Sequence, residues 1–201
     1  MRRAAAIAAV VISFAALGAL GFGCGGDDSA APAPADRRGT GVPADTTLER
    51  AVGAALVKRG EMVATAESCT GGMISARITA VPGSSAWFAG GVVSYSNAVK
   101  ESALGVPAGL IARHGAVSAE VADAMARGAM GRVGAAWAIA VTGLAGPGGG
   151  TPEKPVGLVY VAIGGPDGVA VRELHLNGDR AQIRMQASTR AMQLLQAALA
   201  E

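Results

Sequence analysis

The chain of 201 residues carries 17 Lys and Arg against 15 Asp and Glu, a net charge of +2, and only 3% of it is aromatic. That balance argues against a dedicated nucleic-acid binder, which needs a basic surface with interleaved aromatic side chains. Two cysteines, Cys24 and Cys69, are too few for a disulfide-stapled scaffold, and the length suits one ordinary domain with a surplus.

The surplus lies at the start. Met1-Arg2-Arg3 precedes an uncharged apolar run, residues 4–22, in the manner of a secretory signal, and the run is also long enough to span a bilayer. In LGFGCGG, Cys24 stands where a lipoprotein signal has its lipidated cysteine, although Phe22 is bulkier than usual there. Residues 1–24 are thus expected to export the product or anchor it to a membrane. The alternative is a start codon assigned upstream of a cytoplasmic enzyme. Residues 25–46, mostly Gly, Pro, Ala and Asp, are expected to be a disordered tether. The folded domain is expected over residues 47–201.

Thr46-x-x-Glu49 reads as a capping box that opens a helix through LERAVGAALVKR, stopped by Gly60. A short buried strand is predicted over 62–66 and a helix over 71–80, where GGMISARITA has apolar side chains at helical spacing. A second strand follows over 91–95, then a short helix through Lys100. His114, before a glycine, reads as the end of a helix, and a long helix follows Ser118. WAIAVTG, residues 137–143, is a continuous apolar run suited to a strand buried on both faces. VGLVYVAIG and GVAVRELHL, joined through GPDG, read as an antiparallel hairpin, and a last helix is predicted over 180–200. The expected fold is a single α/β/α three-layer domain with a mixed, mostly parallel sheet ending in an antiparallel hairpin.

Three of these strands end in hydroxyl residues and glycine: Ser68 and Thr70 in ATAESCTGG, then Tyr95-Ser96-Asn97 with Lys100 a turn further on, then Thr142-Gly143. Ligands of open α/β sheets bind beyond the strand C-termini. Ser68 has two readings. It is a nucleophile, or else it or Thr70 caps the next helix, whose free amides would oppose an anion. Gly71 and Gly72 weaken that helix start, which makes sense where something must approach the backbone. His114 and His175 read as structural, and no G-x-S-x-G elbow accompanies them. Lys100 is the other candidate base, since desolvation would lower its pKa and free its lone pair. Its competing reading is a solvated helix residue beside Glu101. The GPGGG loop at 146–150 could cradle a phosphate. Arg180, unfavourable for the dipole at a helix start, suits a bound anion. Cys69 reads as a small buried residue, and no spacing of His, Cys, Asp or Glu suggests a metal site.

In order along the chain, AESCTGG (66–72), PGSSAWF (82–88), VVSYSNAVK (92–100), HGAVS (114–118), VTGLAGPGGGTPEKPVG (141–157) and GDR (178–180) resemble the C-terminal domain of the CinA family. The stand-alone form of that domain is nicotinamide-nucleotide amidase. The resemblance covers residues 47–201 and does not extend to the molybdopterin-binding-like domain of full-length members. Usual members are cytoplasmic and lack an export signal. The resemblance implies hydrolysis of the carboxamide of nicotinamide mononucleotide to nicotinic acid mononucleotide and ammonia, without metal or cofactor. It implies Ser68 as nucleophile, Lys100 as general base and Tyr95 as an aid to proton transfer. Thr70, Gly71, Ser85, Thr142 and Gly143 would line the substrate pocket, with Arg180 as the anion-binding group. It also implies a homodimer or larger homo-oligomer. The competing reading, prompted by the signal-like start, is a tethered protein that binds a nucleotide or a partner without turnover.

Overall fold

The computed structural model describes residues 46–200; the signal-like segment and tether expected at the start of the chain lie outside the described residues. The elements are α1 (Thr47–Arg59), β1 (Val63–Glu67), α2 (Met73–Thr79), a 3-10 turn (Ser84–Ala86), β2 (Phe88–Val93), α3 (Asn97–Leu104), α4 (Ala108–His114), α5 (Ala119–Val133), β3 (Trp137–Gly143), β4 (Leu158–Gly165), β5 (Gly168–His175) and α6 (Arg180–Ala198). They build one five-stranded sheet in the order β2-β1-β3-β4-β5. β1 runs parallel to both β2 and β3, while β4 is antiparallel to β3 and to β5. The sheet is therefore mixed: a parallel half that carries the crossovers, and the hairpin foreseen from GPDG.

Strand alternation assigns the two faces. On one face Val63, Trp137, Ile139, Val141, Val159, Val161 and Ile163 pack under α1, α2 and α6. On the other, Ala64, Ala66, Ala138, Ala140 and Ala162 meet Val121, Ala122, Met125, Ala126 and Ala129 of α5. Large β-branched side chains thus face one helical layer and alanines the other. Alanine against alanine lets α5 lie close over the middle of the sheet. Glycine continues the same device in α5, where a Cβ on Gly128 would stand 2.1 Å from the Leu104 carbonyl oxygen, so α3 is pressed directly onto α5. Among the described residues no helix is long and apolar enough to cross a membrane.

Gly60 closes α1 in the left-handed conformation, with its N–H returning to Leu56 and Val57, as its position suggested. The capping box at the other end does not form. Thr46 makes no side-chain cap, its hydroxyl accepting instead from Arg50 Nε at 3.1 Å. Glu49 turns inward, 1% exposed, and accepts from Arg77 Nε at 2.6 Å. The same guanidinium donates through Nη1 to Ser188 and Thr189 Oγ atoms, each at 2.8 Å. One buried ion pair therefore ties α1, α2 and α6 together, and that long-range demand overrides a local cap. β2 also departs from its predicted limits. It starts at Phe88 and stops at Val93, because Gly90 and Gly91 pair with β1 despite their poor strand propensity. A Cβ at Gly91 would overlap Thr65 Oγ1, 2.0 Å away.

Removing one member of a buried ion pair strands the other in a low-dielectric interior. Glu49→Ala is accordingly expected to cost about 3–5 kcal/mol in a denaturant unfolding titration. The double replacement Glu49→Leu/Arg77→Met is expected to recover most of that loss.

Candidate active site

The C-terminal ends of β1, β2 and β3 lie at one end of the sheet because the three strands are parallel. Ser68 leaves β1 there, its N–H still bonded to Val141 O of β3 at 2.9 Å. Ser94 leaves β2 beside it, its N–H donating to Glu67 O at 2.8 Å. Ser96 then caps α3 by accepting from Val99 N–H, which sets Lys100 and Leu104 on one side of a short helix. Leu104 is in the core against α5, so Lys100, four residues before it, is carried inward and is 1% exposed. Its Nζ donates to Ser94 O at 2.7 Å and to Ser68 Oγ at 3.1 Å. Among the described residues no carboxylate pairs with it. Burial pulls the Lys100 pKa below its ordinary value, and the Cys69 sulfur, where ionised, offsets this only in part. The solvated reading of Lys100 is thereby excluded.

The three adjacent candidates in ATAESCTGG separate by environment. Ser68 is half-buried and touches the amine. Thr70 is fully buried, and its hydroxyl has no partner. Cys69 is 6% exposed, and burial pushes its thiol up to about 11, so little thiolate exists near neutrality.

Neither Ser68 nor Thr70 caps α2. The residue before that helix is Gly72, and the buried carboxylate of Glu67 takes the helix-start amides instead: Ile74 N at 3.1 Å, Ser75 N at 2.8 Å, with Ser75 Oγ at 2.7 Å. The amides expected to oppose an anion at Ile74 and Ser75 are thus already occupied. Gly71 and Gly72 have φ of 60° and 91°, the left-handed region twice in succession. A Cβ at either would meet nothing closer than 3.4 Å. Conformation, not crowding within the chain, calls for glycine at both positions.

Of the remaining predicted residues, Tyr95, Arg180 and Thr142 stay at this end of the sheet and Ser85 does not. Tyr95 is 58% exposed, and its hydroxyl accepts from Arg180 Nη2 at 2.7 Å, not from Lys100. Arg180 also donates through Nη1 to Gly146 O at 2.9 Å, joining the first turn of α6 to the glycine loop. Asp179 caps α6 in a complete capping box with Gln182. Thr142 is buried and donates to Ala116 O at 2.7 Å, while a Cβ at Gly143 would strike Val159 of β4. Ser85, exposed in the 3-10 turn, precedes β2 and so lies at the opposite end of β1 from Ser68. A five-residue strand separates the two ends, roughly 17 Å at the usual rise, so this chain does not bring Ser85 to Ser68. His114 faces Glu120 at 3.1 Å and His175 faces Glu173 at 2.7 Å, both as surface pairs. Among the described residues no cluster of His, Cys, Asp and Glu could hold a metal ion. Sequence reasoning missed Glu67, Ser94 and Arg184, the last of which donates to Cys69 O at 3.1 Å and Thr70 O at 2.7 Å.

Fold and site together define a three-layer α/β protein with a buried lysine set against a serine at the ends of parallel strands. The chain belongs to the CinA family: the CinA C-terminal domain matches residues 45–199. It is 55% identical over 152 residues to a CinA-like protein of Anaeromyxobacter sp. (strain K), which covers 76% of this chain and 37% of that protein. It is 61% identical over 124 residues to a CinA-like protein of Parasynechococcus marenigrum, over 62% of this chain and 30% of that one. The chain thus spans about a third of the length of these curated relatives. Among solved structures it resembles the competence/damage inducible protein CihA from Agrobacterium tumefaciens, with a TM-score of 0.76 at 42% identity, covering 80% of this chain and 98% of that one. A CinA superfamily protein from Klebsiella pneumoniae gives 0.75 at 36%, covering 77% and 97%.

A buried amine without a counter-charge opposes folding. Its folded pKa lies below the unfolded 10.5, so between the two values the unfolded chain holds the extra proton. Stability from this group therefore rises with pH across that window and is lowest below it. Lys100→Met is expected to raise the melting temperature at neutral pH by a few degrees, about 2–4 °C for each kcal/mol recovered. It should also flatten the rise in stability as the pH approaches 10.5.

Proposed function

We propose that the domain hydrolyses the carboxamide of nicotinamide mononucleotide, releasing ammonia and nicotinic acid mononucleotide, with Ser68 as nucleophile and Lys100 as general base. The observation that carries the reading is the 3.1 Å contact between the buried amine of Lys100 and Ser68 Oγ. A lysine amine is a useful base near neutrality only when its pKa is lowered, and desolvation lowers this one. Membership of the CinA family is consistent with it.

Neutral Lys100 takes the Ser68 proton as Oγ attacks the carboxamide carbon. The ammonium then formed on Lys100 stands beside the developing oxyanion and supplies charge that the α2 amides, held by Glu67, do not. Lys100 returns the proton to the leaving nitrogen, since ammonia departs only when that nitrogen is protonated. Water attacks the acyl-serine by the same route, and the acid leaves. The Ser94 carbonyl accepts from Nζ throughout and keeps the amine on the Ser68 side. Arg180 remains exposed, with guanidinium N–H groups beyond the two in use, and provides the site for the nucleotide phosphate. Tyr95 acts on the reaction through Arg180, orienting it.

Ammonia release from nicotinamide mononucleotide by the full chain tests this. Ser68→Ala and Lys100→Ala are expected to reduce kcat by about 10³-fold or more, whereas Cys69→Ala should stay within about threefold of the parent. The rate should rise with pH as the amine deprotonates, with a midpoint below 10.5. A folded protein that returns the nucleotide intact favours a binding role and overturns the reading.

A further inference from the structure

Two arginines one turn apart, Arg180 and Arg184, leave the start of α6 toward the site, and only the first has a part in the reading above. Arg184 is half-buried. Its Nε donates to Cys69 O at 3.1 Å and its Nη2 to Thr70 O at 2.7 Å, the two carbonyls that follow the nucleophile. These are charge-assisted bonds spread over the planar fork of one guanidinium, so they fix direction as well as distance.

The second bond continues into the turn. Thr70 C=O shares a peptide unit with Gly71 N–H, and that N–H donates to Ser68 O at 3.0 Å. A positive charge on the Thr70 oxygen polarises this peptide and strengthens the bond that its N–H makes. The chain of contacts runs from Arg184 through the Thr70–Gly71 peptide to the carbonyl of Ser68 itself. On the other side Ser68 N–H is held by Val141 O at 2.9 Å. The main chain of the nucleophile is thus gripped from both ends, by the sheet at its N–H and by α6 at its carbonyl. Gly71 and Gly72, both left-handed, allow many backbone conformations by themselves. The helix-start bonds of Glu67 fix Ile74 and Ser75 but leave residues 69–72 to be held otherwise.

We infer that Arg184 is a positioning residue, which locks the turn after Ser68 so that Oγ stays in register with the Lys100 amine. The inference rests on the Ser68–Lys100 reading but not on the identity of the substrate. Its role is directional, so charge alone does not replace it: a lysine ammonium lacks the planar fork that holds both carbonyls in one fixed geometry.

The test uses the full chain and a fluorophosphonate probe that reacts with activated serines, with the modified peptide read by mass spectrometry, alongside ammonia release. Arg184→Gln is expected to slow labelling of Ser68 and lower kcat together by roughly 10- to 100-fold, as a displaced nucleophile does. KM should stay within about twofold, because the substituted group does not touch substrate. Arg184→Lys should restore part of the rate and keep the parental melting temperature, yet still label about threefold slower or more. If Arg184→Gln does not fold, the lysine variant carries the test. Parental labelling rates in a folded variant, with a lowered melting temperature as the sole change, assign Arg184 to structure alone and overturn the inference. Wild-type protein that labels at Ser68 without releasing ammonia sinks the proposed substrate and leaves the positioning role standing. Failure of wild-type Ser68 to label overturns both.

Discussion

A lysine amine taken out of water with no carboxylate to meet it among the described residues sets the terms for everything around it. Such a group persists in a fold only where packing forces it inward, and here the force is Leu104, which seats α3 on α5. The Ser94 carbonyl gives the amine one good acceptor, and Ser68 gives it a second. Neither neutralises its charge, so its proton is held loosely. A carboxylate in the same place would have made Lys100 a stable ion and a poor base.

Much of the frame was legible in the sequence because it is local. The continuous run WAIAVTG occupies β3 over the residues predicted, and the GPDG turn joins β4 to β5. Ser118 caps α5 and Gly60 ends α1 through side-chain or φ preferences that any chain shows. The serine and lysine were legible as candidates too, since both follow apolar strand patterns by a fixed number of residues.

What escaped prediction was long-range. Glu49 obeys the capping pattern but is claimed by Arg77, 28 residues away, whose guanidinium also needs Ser188 and Thr189. Glu67 reads as the polar end of a strand, yet it replaces the hydroxyl cap expected at α2. Gly71 and Gly72 read from sequence as a weak helix start, and only their φ values show that the chain turns there through conformations other residues rarely adopt. Arg184 carries no local signal at all, since an arginine one turn into an amphipathic helix is ordinary until the carbonyls opposite are known. Ser85 is the reverse case: its motif stands in family order, but the chain delivers it to the far end of β1.

The two sides of the serine–lysine contact belong to different layers of the molecule. Lys100 hangs from α3, and so from α5 and the alanine face of the sheet. The turn bearing Ser68 is pinned by Arg184 of α6, on the opposite face, whose core is Val, Ile and Trp. The sheet lies between, and the 3.1 Å gap spans its edge like the jaws of a caliper. Small slippage of one layer against the other changes that gap long before either core loses its contacts. On the proposed mechanism, mild heat or denaturant should silence Ser68 while circular dichroism still reports a native fold.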